Sequence, residues 1–338
     1  MQYESVQIIG LAHIDAPLAL SSKEIEERLA PTMRRLGLPQ GMLRKLSGIE
    51  SRRLFAEDTP PSEAATMAAE KAIRAAGVAR EDIGIVVNTS VSRDFIEPST
   101  ACLVHHNLGL GPDCLNFDIG NACLGFINGM EMVATMIERG QIDVGLVVNG
   151  ENSHSATNRT IERLLDPAVD FATFRNNFAT LTLGSGAVAM VLGRSQQQAG
   201  EHRFLGGVTM AATEHCRLCT AQVDSMITNT KKLLNQGVEL AIRTWGWASD
   251  ALGWTADTLD HVIIHQVGQS HTDRLMRRLG IDLGKVFRLY PLHGNVGPAG
   301  VPIVLSKLLE EGRLLPGHRV ALMGIGSGLN CTMAEVVW

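Results

Sequence analysis

Three absences narrow the possibilities before any motif is read. The sequence has no apolar run approaching the roughly 18 residues of a membrane-spanning helix, so no span is expected. It has no block of basic residues, and its 30 Lys and Arg against 35 Asp and Glu leave a formal charge of −5, a poor match to nucleic acid or an anionic membrane surface. Its six cysteines show none of the short spacings of a disulfide scaffold, which points to free thiols in a reducing compartment. The amino terminus, MQYESVQIIGLAHIDAP, lacks the basic start of a secretory signal. A cytoplasmic protein with small-molecule partners is the expectation.

What is present is an ordinary globular composition, 338 residues with 45% hydrophobic and 19% charged, which excludes disorder and fibrous repeats. A chain of this length buries about 75% of its unfolded surface. Its organising feature is an internal repeat. In the first half a helix-like stretch ending Ala75-Ala76-Gly77 leads through Glu81-Asp82 into the apolar run 83–87. In the second, a stretch ending Ala251-Leu252-Gly253 leads through Leu259-Asp260 into 262–264 and then His265. Each strand is followed by a short helix ending alike, at Leu108-Gly109 and Leu279-Gly280.

A further match fixes the register. Ile137-Glu138-Arg139-Gly140 resembles Leu309-Glu310-Glu311-Gly312, an offset of 172 residues. The face formed by Met132, Val133, Met136 and Ile137 then falls on Val304, Leu305, Leu308 and Leu309, the spacing of a buried helix. An apolar strand running into glycine follows both helices, at 145–150 and 320–324. This alternation predicts an α/β fold of two pseudo-symmetric halves, 1–200 and 201–338, with mostly parallel sheets covered on both faces. Residues 155–178 have no counterpart in the repeat and read as a partly helical excursion that caps something.

The same offset makes Cys123 and Asn295 equivalent, both just before a core helix. At a helix amino terminus the macrodipole and free N–H groups favour an anion, so the Cys123 thiol is expected to be substantially ionised and nucleophilic; the alternative is a small buried apolar cysteine. His265 should emerge at a strand's carboxyl end, where open α/β sheets gather their sites, unless it is a satisfied core histidine. Together the three have natural roles. The thiolate attacks a carbonyl while His265 and the Asn295 amide donate hydrogen bonds to developing negative charge. The glycine turn 324–328 (GIGSG) is followed by a strand-like segment rather than by the helix of a phosphate loop. It could supply an oxyanion N–H at Ser327 or be a tight hairpin. His215-Cys216-x-x-Cys219 has a metal-like spacing but no second ligand pair, so a solvent-side loop is expected and zinc is not.

NACLGF around Cys123, HQ at His265, HGN ending at Asn295 and GIGSGL near the end resemble the thiolase superfamily, and within it the ketoacyl synthase III enzymes and the acyl-CoA condensing enzymes of head-to-head hydrocarbon biosynthesis. The resemblance spans essentially the whole chain. It implies a five-layered αβαβα fold, a homodimer, a Cys123-His265-Asn295 triad, and an oxyanion hole made by the backbone N–H groups of Cys123 and Ser327. Gly324 occupies the place of the second catalytic cysteine of degradative thiolases, which disfavours a thiolase proper.

Ketoacyl synthase III enzymes make their carbanion by decarboxylating a malonyl group and need no base for that step. A non-decarboxylative Claisen condensation must remove an α-proton, and a glutamate in an apolar pocket can have its pKa raised toward the working pH. The resemblance assigns this role to Glu97, reaching across the dimer; the alternative is a solvated charge beside Arg93 and Asp94. The implied activity joins two fatty acyl-CoA molecules into a 2-alkyl-3-oxo acid for downstream enzymes of olefin formation, with coenzyme A thioesters as substrates and neither a metal nor a resident cofactor. The competing readings are a malonyl-dependent ketoacyl synthase III of fatty acid synthesis and a non-catalytic acyl-binding scaffold.

Overall fold

The computed structural model describes every residue of 1–338 except Gln197, Ala199, Val223 and Asp224. Strand β1 (Val6–Asp15) leads through β2 (Leu18–Ser21), three short helices α1 (Ser22–Arg28), α2 (Ala30–Arg35) and α3 (Met42–Ser47), and β3 (Ser51–Leu54) to α4 (Pro61–Ala76) and β4 (Ile83–Asn88). There follow α5 (Thr100–Leu108), β5 (Leu115–Asp118), α6 (Gly125–Glu138), β6 (Val144–Glu151), α7 (His154–Leu164), α8 (Phe171–Asn177) and β7 (Gly186–Arg194). The chain then repeats itself with β8 (His202–Ala211), a hairpin of β9 (Cys219–Ala221) and β10 (Met226–Thr228), α9 (Thr230–Leu252), β11 (His261–Ile264) and α10 (Gln269–Leu279). It closes with α11 (Tyr290–His293), α12 (Gly300–Glu310), β12 (Arg319–Gly326) and β13 (Asn330–Val337). The matching glycine endings of α4, α5, α9 and α10 are left-handed caps, which satisfy the last helical carbonyls at no side-chain cost.

Nine strands form one sheet in the order β11-β12-β13-β8-β1-β7-β6-β4-β5. Its two runs join through β1 and β8, which pair at Gln7 with Arg203 and at Ile8 with His202. Within the first run β1, β4, β5 and β6 point one way and β7 is reversed. Within the second, β8, β11 and β12 agree and β13 is reversed. The parallel ladders are thus narrower than the helix-and-strand alternation implied: β12 to β13 is a tight hairpin, and α7 and α8 between β6 and β7 pack in a small core of their own instead of covering the sheet as a parallel crossover would. The duplication also stops short of β5: between α10 and α11 the chain forms a 3-10 turn at Leu283–Lys285 instead of a strand.

Five layers follow from where the apolar side chains go. Phe126, Ile127, Met130, Val133 and Ile137 of α6 and Val301, Val304, Leu305 and Leu308 of α12 share one core with residues of both strand runs, such as Ile85, Val147, Val320 and Leu322. The outer face of the first run packs on α4 and α5 through Ala65, Ala69, Ala72, Val104 and Leu108. That of the second packs on α9 and α10 through Leu240, Ala248, Leu275 and Met276. The excursion at 155–178 supplies α7 and α8, whose Ile161, Leu164 and Phe174 join Ile25 of α1, Leu29 between α1 and α2, and Leu43 of α3 in a separate small core. Among the described residues no helix is long and apolar enough to cross a membrane.

Candidate active site

Cys123 sits in a 3-10 turn, Ala122–Leu124, that leads directly into α6. Ala122 before it has φ 43, the one positive-φ residue that is not glycine among the described residues. That geometry costs an alanine about 1–2 kcal/mol, and such strain concentrates where a scaffold forces a reactive side chain into place. The forcing contacts come from β12. A Cβ on Gly324 would lie 2.5 Å from Leu124 Cδ2, and one on Gly326 would lie 3.0 Å from the Asn121 carbonyl oxygen. The bare backbone of β12 therefore packs closely on the nucleophile turn, and a side chain at the place of a thiolase's second cysteine would have to displace Leu124 and Ile127. Asn330 Nδ2 donates to Asn121 Oδ1 at 3.2 Å and tightens the same junction.

His265 follows β11, and its backbone N–H donates to Met323 O of β12 at 2.9 Å. Its ring is buried, and Nδ1 has no hydrogen-bond partner. Burial, and then the neighbouring His271, pull its pKa down to about 3, so it is a neutral imidazole at pH 7. Asn295 is clamped by its backbone, the N–H donating to Thr182 O and the carbonyl accepting from Gly184 N, both at 2.9 Å. Its side-chain Oδ1 accepts from Gly297 N at 3.1 Å, which leaves the amide NH2 as the group it offers. The Cys123 turn packs against both β12 and the 3-10 turn Gly297–Ala299 that follows Asn295. Three segments far apart in sequence thus converge with His265 at the ends of neighbouring elements. Among the described residues none of these three side chains hydrogen-bonds another. Ser327 lies in the hairpin between β12 and β13, partly exposed.

Two expectations are corrected here. The thiol is not ionised at rest: burial pushes Cys123 up to about 12, the nearby Cys219 and Glu151 push the same way, and the backbone amide at the turn opposes them without prevailing. Desolvation outweighs the helix terminus because it acts on the whole anion, whereas the dipole supplies only a fraction of a charge. The second concerns the His215 to Cys219 loop, which is not wholly a solvent feature. Cys219 is near enough to Cys123 to help push that thiol up and contacts Thr228 Oγ1 at 3.3 Å, so β9 lies beside the site while Cys216 is exposed.

Glu97 lies on the loop between β4 and α5 and is exposed. Asp94, which accepts from Ser62 N at 3.2 Å and Ser62 Oγ at 2.7 Å, pins this loop at one point. The side chains around Glu97 also face outward, with Phe95 57% and Ile96 83% exposed. Among the described residues no apolar pocket encloses the carboxylate.

Two site residues were missed in the sequence. Gln266 is buried and clips the chain leaving His265 to the segment approaching Asn295. Its Nε2 donates to Ile264 O at 2.8 Å and Phe287 O at 3.4 Å, while Oε1 accepts from Leu289 N at 2.8 Å and Tyr290 N at 3.3 Å. Its place directly after a strand-end histidine was the available signal. Glu151, the last residue of β6, is a buried carboxylate near Cys123; a charge closing a mostly apolar strand could have flagged it. Beside the chain leaving His265 a cleft of about 510 Å³ opens, lined by Gly41, Arg44, Lys45, Gly48, Glu50, Gln269 and Pro291.

The layered fold, with Cys123, His265 and Asn295 each at an element end next to β12 or α6, is that of a thiolase-type condensing enzyme. Residues 117–211 match the family model of 3-oxoacyl-[acyl-carrier-protein] synthase III and residues 249–338 match the model of its C-terminal part. The chain is 52% identical to the acyl-CoA:acyl-CoA alkyltransferase of Xanthomonas campestris and 38% identical to that of Shewanella oneidensis, each alignment covering 100% of both proteins. It is 30% identical to a β-ketoacyl-[acyl-carrier-protein] synthase III of Desulfitobacterium hafniense, over 86% of this chain and 87% of that one. The crystal structure of cerulenin-bound X. campestris OleA superposes with a TM-score of 0.98, covering 100% of this chain and 98% of that one. A cysteine-to-serine variant of the same protein, solved with lauric acid and lauroyl-CoA, also gives 0.98, over 99% of this chain and 100% of that one. Other solved variants of it replace a glutamate or a histidine. The chain belongs to the acyl-CoA:acyl-CoA alkyltransferase family, on the ketoacyl synthase III side of the thiolase superfamily.

Proposed function

We propose that the protein joins two fatty acyl-CoA molecules by a non-decarboxylative Claisen condensation, giving a 2-alkyl-3-oxo acid as the first step of long-chain hydrocarbon formation. The observation that carries this reading is full-length identity of 52% to an acyl-CoA:acyl-CoA alkyltransferase, against 30% over 86% of the chain to a β-ketoacyl-[acyl-carrier-protein] synthase III. Cys123 attacks the first thioester carbonyl, the C–S bond to CoA breaks, and the thiol proton passes by way of neutral His265 to the departing CoA thiolate. His265, the Asn295 NH2 and the backbone N–H groups of Cys123 and Ser327 hold the tetrahedral oxyanion. Glu97 then takes an α-proton from the second acyl-CoA. The resulting carbanion attacks the Cys123 thioester and expels the Cys123 thiolate. Water hydrolyses the remaining CoA thioester, so two acyl-CoA and one water give one keto acid and two CoA.

A homodimer follows from the same reading. Strand β5 is a sheet edge with Leu115 and Phe117 exposed, and it neighbours the outward-facing Glu97 loop; an unpaired edge with apolar side chains is a template for a second copy. Each Glu97 would then serve the partner's Cys123. Residues 1–200 and 201–338 form the two halves, acyl-CoA enters by the cleft beside Gln269, and downstream enzymes of olefin formation take the product. A cytoplasmic location accords with six free thiols. The test uses two acyl-CoA of different chain length without any malonyl group: crossed and uncrossed keto products by mass spectrometry are expected, and Cys123→Ser should abolish CoA release. Product formation that requires a malonyl group would overturn the reading.

A further inference from the structure

We propose that Glu151 is a positioning residue for the second half of the reaction: it fixes the loop that presents Glu97 and ties that loop to the wall of the Cys123 site. The inference rests on the proposed condensation. Glu151 ends β6 and is buried. Its carboxylate accepts from Val91 N at 2.7 Å, from Ser92 N at 3.0 Å and from Ser92 Oγ at 2.7 Å. These donors open the loop that reaches Glu97 a few residues on. Ser92 Oγ also accepts from Asn152 N at 3.3 Å, so the loop's root is held on both sides of the β6 end.

The other face of the Glu151 side chain looks into the site. Its Cδ is 3.8 Å from where a Cβ on Gly297 would stand, and Gly297 is the residue whose N–H orients the Asn295 amide. One buried carboxylate therefore holds the loop carrying the proposed base and lies next to the turn that sets an oxyanion donor. Cys123 senses its charge. Three donors converging on one carboxylate require an acceptor with no N–H of its own, and a glutamine there would set its NH2 against at least one of them. The loop root would swing, and Glu97, exposed and held mainly through that root and the Asp94 contact, would lose its aim.

The two half-reactions separate this role from plain structural support. In Glu151→Gln the condensation product should fall about tenfold to a hundredfold further than the single-turnover release of CoA from lauroyl-CoA, which reports acylation of Cys123 and responds by itself to the lost charge beside the thiol. Glu151→Asp keeps an acceptor-only group and should restore part of that loss. Should Glu151→Gln fail to fold, Ser92→Ala, which removes one donor, should give a smaller loss confined to the same half-reaction. Parallel loss of acylation and condensation, or an unchanged condensation rate, overturns the proposal. A parent protein that forms no condensation product overturns the underlying reading instead.

Discussion

If Glu97 works across the dimer, two inactive variants should make one active enzyme. In a Cys123→Ala homodimer no acyl-enzyme forms. In a Glu97→Gln homodimer the acyl-enzyme forms, but the α-proton has no base, which costs about 10²–10⁴ in rate. The proposed arrangement has the exposed Glu97, with its outward neighbours Phe95 and Ile96 and the edge strand β5, meeting a second copy. Isologous pairing about a two-fold axis makes both cross-contacts equivalent. In a mixed dimer the subunit with intact Cys123 meets an intact Glu97 from its partner, so one of the two sites is complete. Random reassortment of equal amounts leaves about half the dimers mixed, and condensation should recover to about a quarter of the parent rate. If Glu97 served its own subunit, every site would lack one of the two groups. Recovery to a few per cent or less, with mixed dimers verified by native mass spectrometry, refutes the cross-subunit assignment.

Alkylation tests the neutral thiol. With Cys123 pushed up to about 12, its iodoacetamide rate should climb about tenfold per pH unit from pH 6 to 9, and the exposed Cys102 and Cys216 should react before it. A plateau with a midpoint below pH 8 would contradict the burial argument. Gln266→Leu leaves the Leu289 and Tyr290 N–H groups without their shared acceptor, at about 1–3 kcal/mol each; urea denaturation should show a loss of about 2–5 kcal/mol, and under 1 kcal/mol would refute the clip. His265 and His271 are held neutral, with pKa values pulled down to about 3 and about 4, whereas an unfolded histidine takes up a proton near pH 6.5. The unfolded state therefore binds more protons as pH falls from about 6.5, and stability should drop by up to about 1.4 kcal/mol per pH unit for each histidine. Replacing His265 with Asn should flatten the curve measured by denaturant titration between pH 6.5 and 4.

The sequence alone determined what depends on short-range pattern. Apolar period and glycine endings located the repeated helix and strand units of both halves, though not strands such as β1, β7 and β8, because a left-handed cap and a buried helix face are written within a few residues of each other. The repeat then made Cys123 and Asn295 equivalent and set His265 at a strand end, since the order of elements limits which termini can share a crevice. Only the tertiary structure decided what these groups are at rest. A helix terminus argued for an ionised Cys123; the protein packed around it, with Glu151 and Cys219 nearby, reverses that, because desolvation is summed over everything within several ångströms, whatever its sequence number. The same holds for Glu151, whose partners Val91 and Ser92 lie about sixty residues away, and for the outward-facing Glu97 loop. Hydrogen bonds between distant segments and the burial of a charge are properties of the folded packing, and no local pattern encodes them.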